Sequence, residues 1–123
     1  MAEQQTTGGL DFEALRRAIE QSDFESLISF YAEDAELLTV NRNSTPSSPE
    51  VLHGKEAIAE RLEDVCGRAM THQVENEVVG KDRIAFNEAC EYQDGGVRVL
   101  TAATLDVRDG QIVRQVNVEA WDE

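Results

Sequence analysis

Apolar residues recur at helical spacing near the start of the chain. Phe12, Leu15 and Ile19 fall on one face of a predicted first helix, with Ala18 just off that stripe. Asp11 stands directly before the stripe, where its carboxylate can cap the first backbone N–H groups. The pattern therefore predicts an amphipathic helix with a defined beginning.

A second predicted helix begins at Ser22, which precedes Glu25 by the spacing of a capping box. Its apolar stripe consists of Phe24, Leu27, Ile28 and Tyr31. At Ala35 the pattern changes abruptly to that of a short strand, residues 36–40. The helix is thus expected to lead almost directly into a sheet.

The middle of the chain combines a loop with one more helix. Residues 41–49 are rich in Asn, Ser and Pro and show no periodicity, which predicts a loop. A third helix is predicted after Gly54, and its apolar face comprises Ile58, Leu62, Val65 and Cys66.

The rest of the chain alternates between apolar and polar positions, which is typical of strands. The predicted strands are residues 71–79, 83–93, 96–108 and 111–121. Turn formers separate them, with Asp94-Gly95 and Asp109-Gly110 as the strongest hairpin signals. Helices followed by a run of strands indicate an α+β fold with helices on one face of a bent antiparallel sheet.

Turn lengths predict which residues face each other. The inner positions of the third long strand are Val97, Val99, Thr101, Ala103, Leu105 and Val107. The predicted cross-strand pairs are Phe86–Ala103, Glu88–Thr101, His72–Cys90, Val74–Glu88 and Val78–Ile84.

For the last hairpin, a two-residue turn would place Ile112, Arg114, Val116 and Val118 inside. A three-residue turn with a bulge would instead place Val113, Gln115, Asn117, Glu119 and Trp121 inside.

Composition narrows the possible partners. The 123 residues include 11 Lys and Arg against 25 Asp and Glu, a formal net charge of −14. That charge repels phosphate backbones and anionic membranes, so neither nucleic acid nor a membrane is an expected partner. No signal peptide or membrane-length apolar run is apparent, which favours a cytoplasmic protein. Residues 1–9 read as a flexible tail, and residues 10–123 as a single domain.

Three segments resemble one superfamily. They are Phe30-Tyr-Ala-Glu-Asp-Ala-Glu-Leu37, His53-Gly-Lys-Glu-Ala-Ile58, and Asp109-Gly-Gln-Ile-Val-Arg114 leading to the terminal Ala120-Trp-Asp-Glu123. The sequence is similar, over residues 10–122, to the SnoaL-like (polyketide cyclase-like) branch of the nuclear transport factor 2-like superfamily. The resemblance implies a cone of three N-terminal helices packed on the bent sheet around a pocket. It also favours the three-residue reading of the last hairpin.

The resemblance implies no particular activity, because the superfamily mixes enzymes with binding modules. In the steroid isomerase branch, the general base would fall at Thr39, and the two oxyanion donors near Leu15 and Ala103. None of these side chains can perform those roles, which excludes that activity. The Asp–Arg–Asp set of the epoxide hydrolase branch is not found inside the predicted cone.

The predicted register brings several polar residues into the cone. His72 and Glu88 are diagonal neighbours and form a candidate acid–base pair, since a carboxylate can orient an imidazole. The predicted ligand-binding residues are Tyr31, Thr39, Phe86, Thr101, Gln115, Asn117, Glu119 and Trp121. Neither Cys66 nor Cys90 belongs to a recognisable metal motif, so both are expected to be reduced and buried, with no metal or other cofactor.

The sequence leaves three functions open. The leading hypothesis is a protein that binds a small, largely apolar or carbonyl-containing molecule. The first alternative is a cyclase, isomerase or dehydratase that uses His72 and Glu88. The second alternative is a non-catalytic module for protein association. A homodimer through the outer face of the sheet is expected from Leu100, Val116 and Val118, which would otherwise be exposed.

Overall fold

The computed structural model describes residues 6–122. Its helices are α1 (Phe12–Glu20), α2 (Phe24–Ile28) and α3 (Lys55–Cys66). Its strands are β1 (Thr6–Thr7), β2 (Leu10–Asp11), β3 (Tyr31–Val40), β4 (Glu50–His53), β5 (Met70–Val79), β6 (Arg83–Tyr92), β7 (Arg98–Arg108) and β8 (Gln111–Trp121). No helix among these residues is long and apolar enough to cross a membrane.

Strands β3 to β8 form a six-stranded sheet in the order β4-β3-β8-β7-β6-β5. The fold is the predicted α+β cone, in which the helices cover the concave face of this sheet. The sheet is mixed rather than wholly antiparallel, because β3 and β8 run parallel. This parallel contact joins the strand after α2 to the free edge of the C-terminal meander.

Helix α1 forms as the sequence predicts. Asp11 caps it, since its Oδ1 accepts hydrogen bonds from the backbone N–H groups of Glu13 and Ala14, at 3.0 and 3.3 Å. The buried residues of the helix are Phe12, Leu15, Ala18 and Ile19.

Helix α2 differs from its prediction in both its cap and its length. Asp23 caps the helix, with Oδ1 3.2 Å from the Ser26 nitrogen, whereas Ser22 adopts a left-handed conformation with φ of 52°. The predicted Ser22–Glu25 capping box is therefore wrong, because the Asp23 carboxylate takes that position. The helix has only five residues, so Tyr31 belongs to β3, where it is buried.

Helix α3 begins after Gly54, whose φ of 94° favours glycine. Ile58 is completely buried, and Leu62 and Cys66 are partly buried against the core.

The sequence did not predict β4, which pairs with β3 beside this helix. Both nitrogens of the Arg61 fork bind the Glu50 carboxylate at 2.7 Å, so one ion pair ties α3 to β4.

The C-terminal meander confirms most of the predicted register. Phe86 lies opposite Ala103, Glu88 opposite Thr101, His72 opposite Cys90 and Val74 opposite Glu88. Val78 pairs with Ala85 rather than Ile84 and is 66% exposed, because the strand is irregular around Asn76, whose φ is 57°. Val97 also departs from the prediction, since it is 40% exposed at the end of its hairpin.

The last hairpin combines features of both predicted alternatives. Asp109 and Gly110 form a two-residue turn with positive φ at both positions, and Val107 pairs with Ile112. Asp106 then pairs with Arg114, so Val113 is the extra residue of a β-bulge. The bulge shifts the register and turns the later odd-numbered residues of β8 toward the concave face. Gln115, Asn117 and Trp121 therefore share a face with Thr101 and Leu105, as predicted.

The N-terminal segment bonds to the turn between β5 and β6. Residues 1–5 of the predicted flexible tail lie outside the described residues. Within the rest of that segment, Thr7 is fully buried and its hydroxyl donates to the Gly80 carbonyl at 2.7 Å. The Gly8 nitrogen donates to the Lys81 carbonyl at 2.9 Å. The turn between β5 and β6 is thus attached to the chain's beginning.

The tie between β4 and α3 gives a prediction about stability. We expect Glu50→Gln to lower the melting temperature at pH 7 by about 2–4 °C, the effect of losing roughly 0.5–1 kcal/mol at a partly exposed ion pair. The hydrogen bonds from Arg61 hold the pKa of Glu50 below its usual value of 4.5. The stabilisation is therefore present above pH 4.5 and is lost as the pH falls through the lowered pKa.

Calorimetry at pH 7 and pH 3 tests this expectation. The difference between Glu50→Gln and the unmodified protein should shrink at pH 3. Glu60→Gln, on an exposed position of the same helix, is the matched control and should change little at either pH. An equal loss for Glu50→Gln at both pH values would show that the ion pair is not its cause.

Candidate functional site

A cavity of about 130 Å³ lies between the helices and the concave face of the sheet. Its apolar wall consists of Leu15, Ile19, Leu27, Leu37, Leu62, Val65, Phe86, Val99 and Leu105. Cavities of roughly 150 Å³ in other proteins hold a benzene-sized molecule. The space therefore suits a small organic group.

The structure places all ten predicted site residues along this cavity. They are Tyr31, Thr39, His72, Phe86, Glu88, Thr101, Gln115, Asn117, Glu119 and Trp121. Sequence reasoning missed Arg61, Arg68, Met70, Cys90 and Tyr92, which line it as well. The position of Cys90 in the cavity could have been predicted from the sequence, because its predicted pairing with His72 already placed it on the inner face.

His72, Glu88 and Cys90 form a compact cluster on one wall. The cross-strand pairing of β5 with β6 sets His72 beside Cys90, and Glu88 shares the face of Cys90 two residues earlier. His72 Nδ1 lies 2.9 Å from Glu88 Oε2 and 3.2 Å from Cys90 Sγ, and the thiol donates to Glu88 Oε2 at 3.3 Å. Within residues 6–122, the other ring nitrogen, Nε2, has no hydrogen-bond partner.

Burial and charge keep the cluster's thiol protonated. Burial raises the pKa of Cys90 well above the usual value of 9.0, and the nearby Glu88 carboxylate raises the pKa further. A nucleophilic cysteine needs the opposite environment, one that stabilises a thiolate. Cys90 is therefore a hydrogen-bond donor to Glu88 rather than a nucleophile in this state.

A chain of polar side chains crosses the opposite wall. The buried Tyr31 hydroxyl donates to Gln115 Oε1 at 2.5 Å, and Gln115 Nε2 donates to Asn117 Oδ1 at 3.0 Å. Burial raises the pKa of Tyr31, which keeps this hydroxyl neutral. Glu119 Oε1 accepts from Asn41 and Trp121, at 3.0 and 3.3 Å. These groups satisfy one another, so the wall is ordered before any ligand binds.

Two hydroxyl groups in the cavity, unlike the side chains of that wall, have no hydrogen-bond partner among the described residues. Thr39 and Thr101 are 4% and 6% exposed and line the cavity. Neither side chain forms a hydrogen bond with any part of the chain from residue 6 to residue 122. Neither hydroxyl oxygen is fully buried, so each can bond to a ligand or to water in the cavity.

The exposed lining residues mark the open end of the cavity. The rings of Tyr92 and Trp121 lie 6.0 Å apart, and Arg68 Nη1 donates to the Tyr92 hydroxyl at 2.8 Å. Asp64 binds the other guanidinium nitrogen of Arg68 at 2.5 Å, which fixes the arginine at the end of α3. The mouth therefore lies where α3 ends near the last residues of β8.

Other sequence expectations concern residues near the site. Cys90 is buried as expected, but Cys66, the last residue of α3, is only half-buried and lines the cavity. Both cysteines are free thiols. His53 lies on β4 with a side chain that is 73% exposed, 3.8 Å from Glu36, and does not line the cavity.

Comparison with known families identifies the class of protein. A family model described as the SnoaL-like domain matches residues 12–115, so the chain belongs to the SnoaL-like domain family. No curated protein matches the sequence at a significant level. The family match confirms the resemblance noted in the sequence and agrees with the observed fold.

Solved structures share the fold at low sequence identity. A nuclear transport factor 2-like protein of unknown function from Mesorhizobium loti has a TM-score of 0.70 at 19% identity, covering 89% of this chain and 87% of that one. A candidate ketosteroid isomerase from Kribbella flavida has a TM-score of 0.70 at 15% identity, covering 91% and 75%. A candidate polyketide cyclase from Xanthomonas campestris has a TM-score of 0.63 at 23% identity, covering 87% and 85%. At these identities the similarity shows the fold alone.

Proposed function

We propose that this protein binds a small, largely apolar molecule that carries a hydrogen-bond acceptor such as a carbonyl oxygen. The observation that carries the proposal is the pair of cavity hydroxyls, Thr39 and Thr101, which lack hydrogen-bond partners within residues 6–122 and line the same cavity as the apolar wall. A carbonyl oxygen placed between the walls would accept a hydrogen bond from either hydroxyl. The apolar wall would cover the rest of the molecule.

The two threonine hydroxyls favour a ligand that carries a polar group. Each hydroxyl oxygen keeps some accessible surface, so water can bond to it in the free protein and a ligand oxygen can replace that water. Apart from His72 Nε2, the polar groups of the two walls described above already bond to other side chains. The site is therefore largely ordered before a ligand binds, so the free-energy cost of ordering side chains on binding is small.

Thr101→Val is the sharpest test of the binding mode. A panel of small cyclic and aromatic ketones is first screened against the unmodified protein by thermal shift. We expect at least one ketone to raise the melting temperature by several degrees at saturation, because a ligand at about 100 times its Kd stabilises by about 2.7 kcal/mol. Thr101→Val should keep the unliganded melting temperature and lose most of that shift.

Thr104→Val is the matched control, since Thr104 lies on the outer face of the same strand. It should retain the full ligand-induced shift. A panel without any stabilising ketone would count against the proposed ligand class. An unchanged shift in Thr101→Val would remove this hydroxyl from the site.

A second candidate function is acid–base catalysis on a carbonyl compound, as in a cyclase, isomerase or dehydratase. The specific observation is the 2.9 Å contact between His72 Nδ1 and Glu88 Oε2. With its proton on Nδ1 and donated to Glu88, the imidazole presents the lone pair of Nε2 as a base. A carbon acid next to the carbonyl group is the substrate that such a base would deprotonate.

Proton exchange measures this activity without knowledge of the natural substrate. Ketones that bind in the screen are incubated with the protein in D₂O, and deuterium uptake next to the carbonyl is followed by NMR. We expect His72→Gln to slow the catalysed exchange by roughly 10²–10⁴-fold, the usual contribution of a general base, while ketone binding persists. His53→Gln, the other histidine, should exchange at the unmodified rate. Equal exchange rates in both variants would exclude His72 as the base.

We further propose a homodimer through the outer face of the sheet. Leu100 and Val118 are 52% and 50% exposed on adjacent strands, with Val116 partly exposed beside them. Neighbouring Ala102 and Ala120 are exposed too, which continues the apolar surface across β7 and β8. A patch of this kind on a sheet is typical of a self-complementary interface.

Val118→Glu tests the dimer, because it places a charge opposite its own copy near the proposed two-fold axis. We expect light scattering at micromolar concentration to show a dimer for the unmodified protein and a monomer for this variant. Val78→Glu, on the edge strand β5, is the control and should remain dimeric. A monomeric unmodified protein would contradict the proposal directly.

A further inference from the structure

We propose that His72, Glu88 and Cys90 form a three-ligand site for a divalent transition metal, with Zn²⁺ as the best fit. The three donor atoms come from two adjacent strands and lie within 4.8 Å of one another. No metal was expected from the sequence, because the two histidines and two cysteines do not lie at the short spacing of a metal motif. Here the pairing of two neighbouring strands, rather than a short motif along the chain, brings the ligands together.

The arrangement converges on one point. Both the carboxylate oxygen and the thiol sulfur lie at the same ring nitrogen of His72, at 2.9 and 3.2 Å. A nucleophilic triad would instead separate the thiol and the carboxylate onto opposite nitrogens of the ring. Three donor atoms this close together can all reach one metal ion.

The distances fit zinc after a small adjustment. With Zn–N and Zn–O bonds of about 2.0 Å and a Zn–S bond of about 2.3 Å, tetrahedral ligand atoms lie roughly 3.3–3.6 Å apart. The donor separations here are 2.9, 3.2 and 3.3 Å. The side chains would need to separate by only a few tenths of an ångström, which rotation about their side-chain torsions can provide.

The charge balance also favours a dication. In this structure the Cys90 thiol donates to Glu88, and a proton on His72 Nδ1 would point to the same carboxylate. Metal binding releases the thiol proton to solvent and moves the imidazole proton to Nε2. One Zn²⁺, one thiolate, one carboxylate and a neutral imidazole then sum to zero. The partly buried negative charge of the metal-free cluster disappears.

A fourth coordination position would face the cavity, because all three ligands line it. Three protein ligands with an open position are typical of catalytic zinc sites, where water or a carbonyl oxygen completes the tetrahedron. Such a metal would occupy Nδ1 and the Glu88 carboxylate. It would therefore replace the acid–base role considered above, and the two roles can be told apart with metal alone.

Cobalt titration tests the site without any organic ligand. Chelator-treated protein is titrated with Co²⁺, which reports thiolate ligation through a sulfur-to-cobalt charge-transfer band. We expect the band to saturate at one equivalent and to disappear when Zn²⁺ displaces the cobalt. Cys90→Ser should lose the band, whereas Cys66→Ser should keep it.

The other two ligands have their own variants and a matched control. His72→Gln and Glu88→Gln should each weaken Co²⁺ binding by at least the roughly 10–100-fold that loss of a supporting residue usually costs. His53→Gln should bind as the unmodified protein does. Zn²⁺ should also raise the melting temperature of the unmodified protein and of Cys66→Ser, but not of Cys90→Ser.

Two results would overturn the proposal. One is the absence of a charge-transfer band in folded, reduced protein. The other is an equal Zn²⁺-induced stabilisation in Cys90→Ser, which would mean that surface carboxylates of this acidic chain bind the ion. Neither result bears on ketone binding, which is measured separately, so the two proposals fail independently.

Discussion

The β-bulge at Val113 is the constraint on which the cavity depends. Strand side chains alternate with a period of two, so one extra residue exchanges the two faces of everything that follows. Without the bulge, the two-residue turn at Asp109-Gly110 would direct Arg114, Val116 and Val118 into the cone. With it, Gln115 and Asn117 line the cavity and the valines lie outside. One inserted residue thus sets both the polar wall and the apolar outer surface.

The parallel contact of β3 with β8 completes that wall. It sets Leu37 beside Gln115 and Thr39 beside Asn117. Residues from the first half of the chain thereby join the meander on a single concave face, and the Tyr31 hydroxyl reaches Gln115 across the junction. The cavity is therefore a product of long-range pairing, since its two walls are far apart in sequence.

The sequence predicted most of the fold where local signals are strong. Alternation and turn formers determined the meander, and the register that placed Glu88 opposite Thr101 followed from turn length. Two of the wrong predictions concern β4 and α2. Strand β4 was not predicted, and it forms by pairing with β3. Helix α2 is capped by Asp23, whereas Ser22 was expected to cap it. Register predicted which residues of β5 to β8 line the cavity, whereas Tyr31 was expected on a helix and lies in β3. The contact of Cys90 with both His72 and Glu88 is one that no spacing along the chain reveals.

Glu88 is the group around which the chemistry of the cavity is organised. Its side chain is 23% exposed, so its charge needs close partners, and both of its donors, His72 and Cys90, approach the same oxygen. Protons stabilise this carboxylate in the metal-free cluster. An imidazolium would do so during proton transfer, and a dication would do so most strongly, because it also neutralises the thiolate it creates. These states compete for one oxygen and one ring nitrogen. The acid–base role and the metal role proposed for this wall therefore exclude each other.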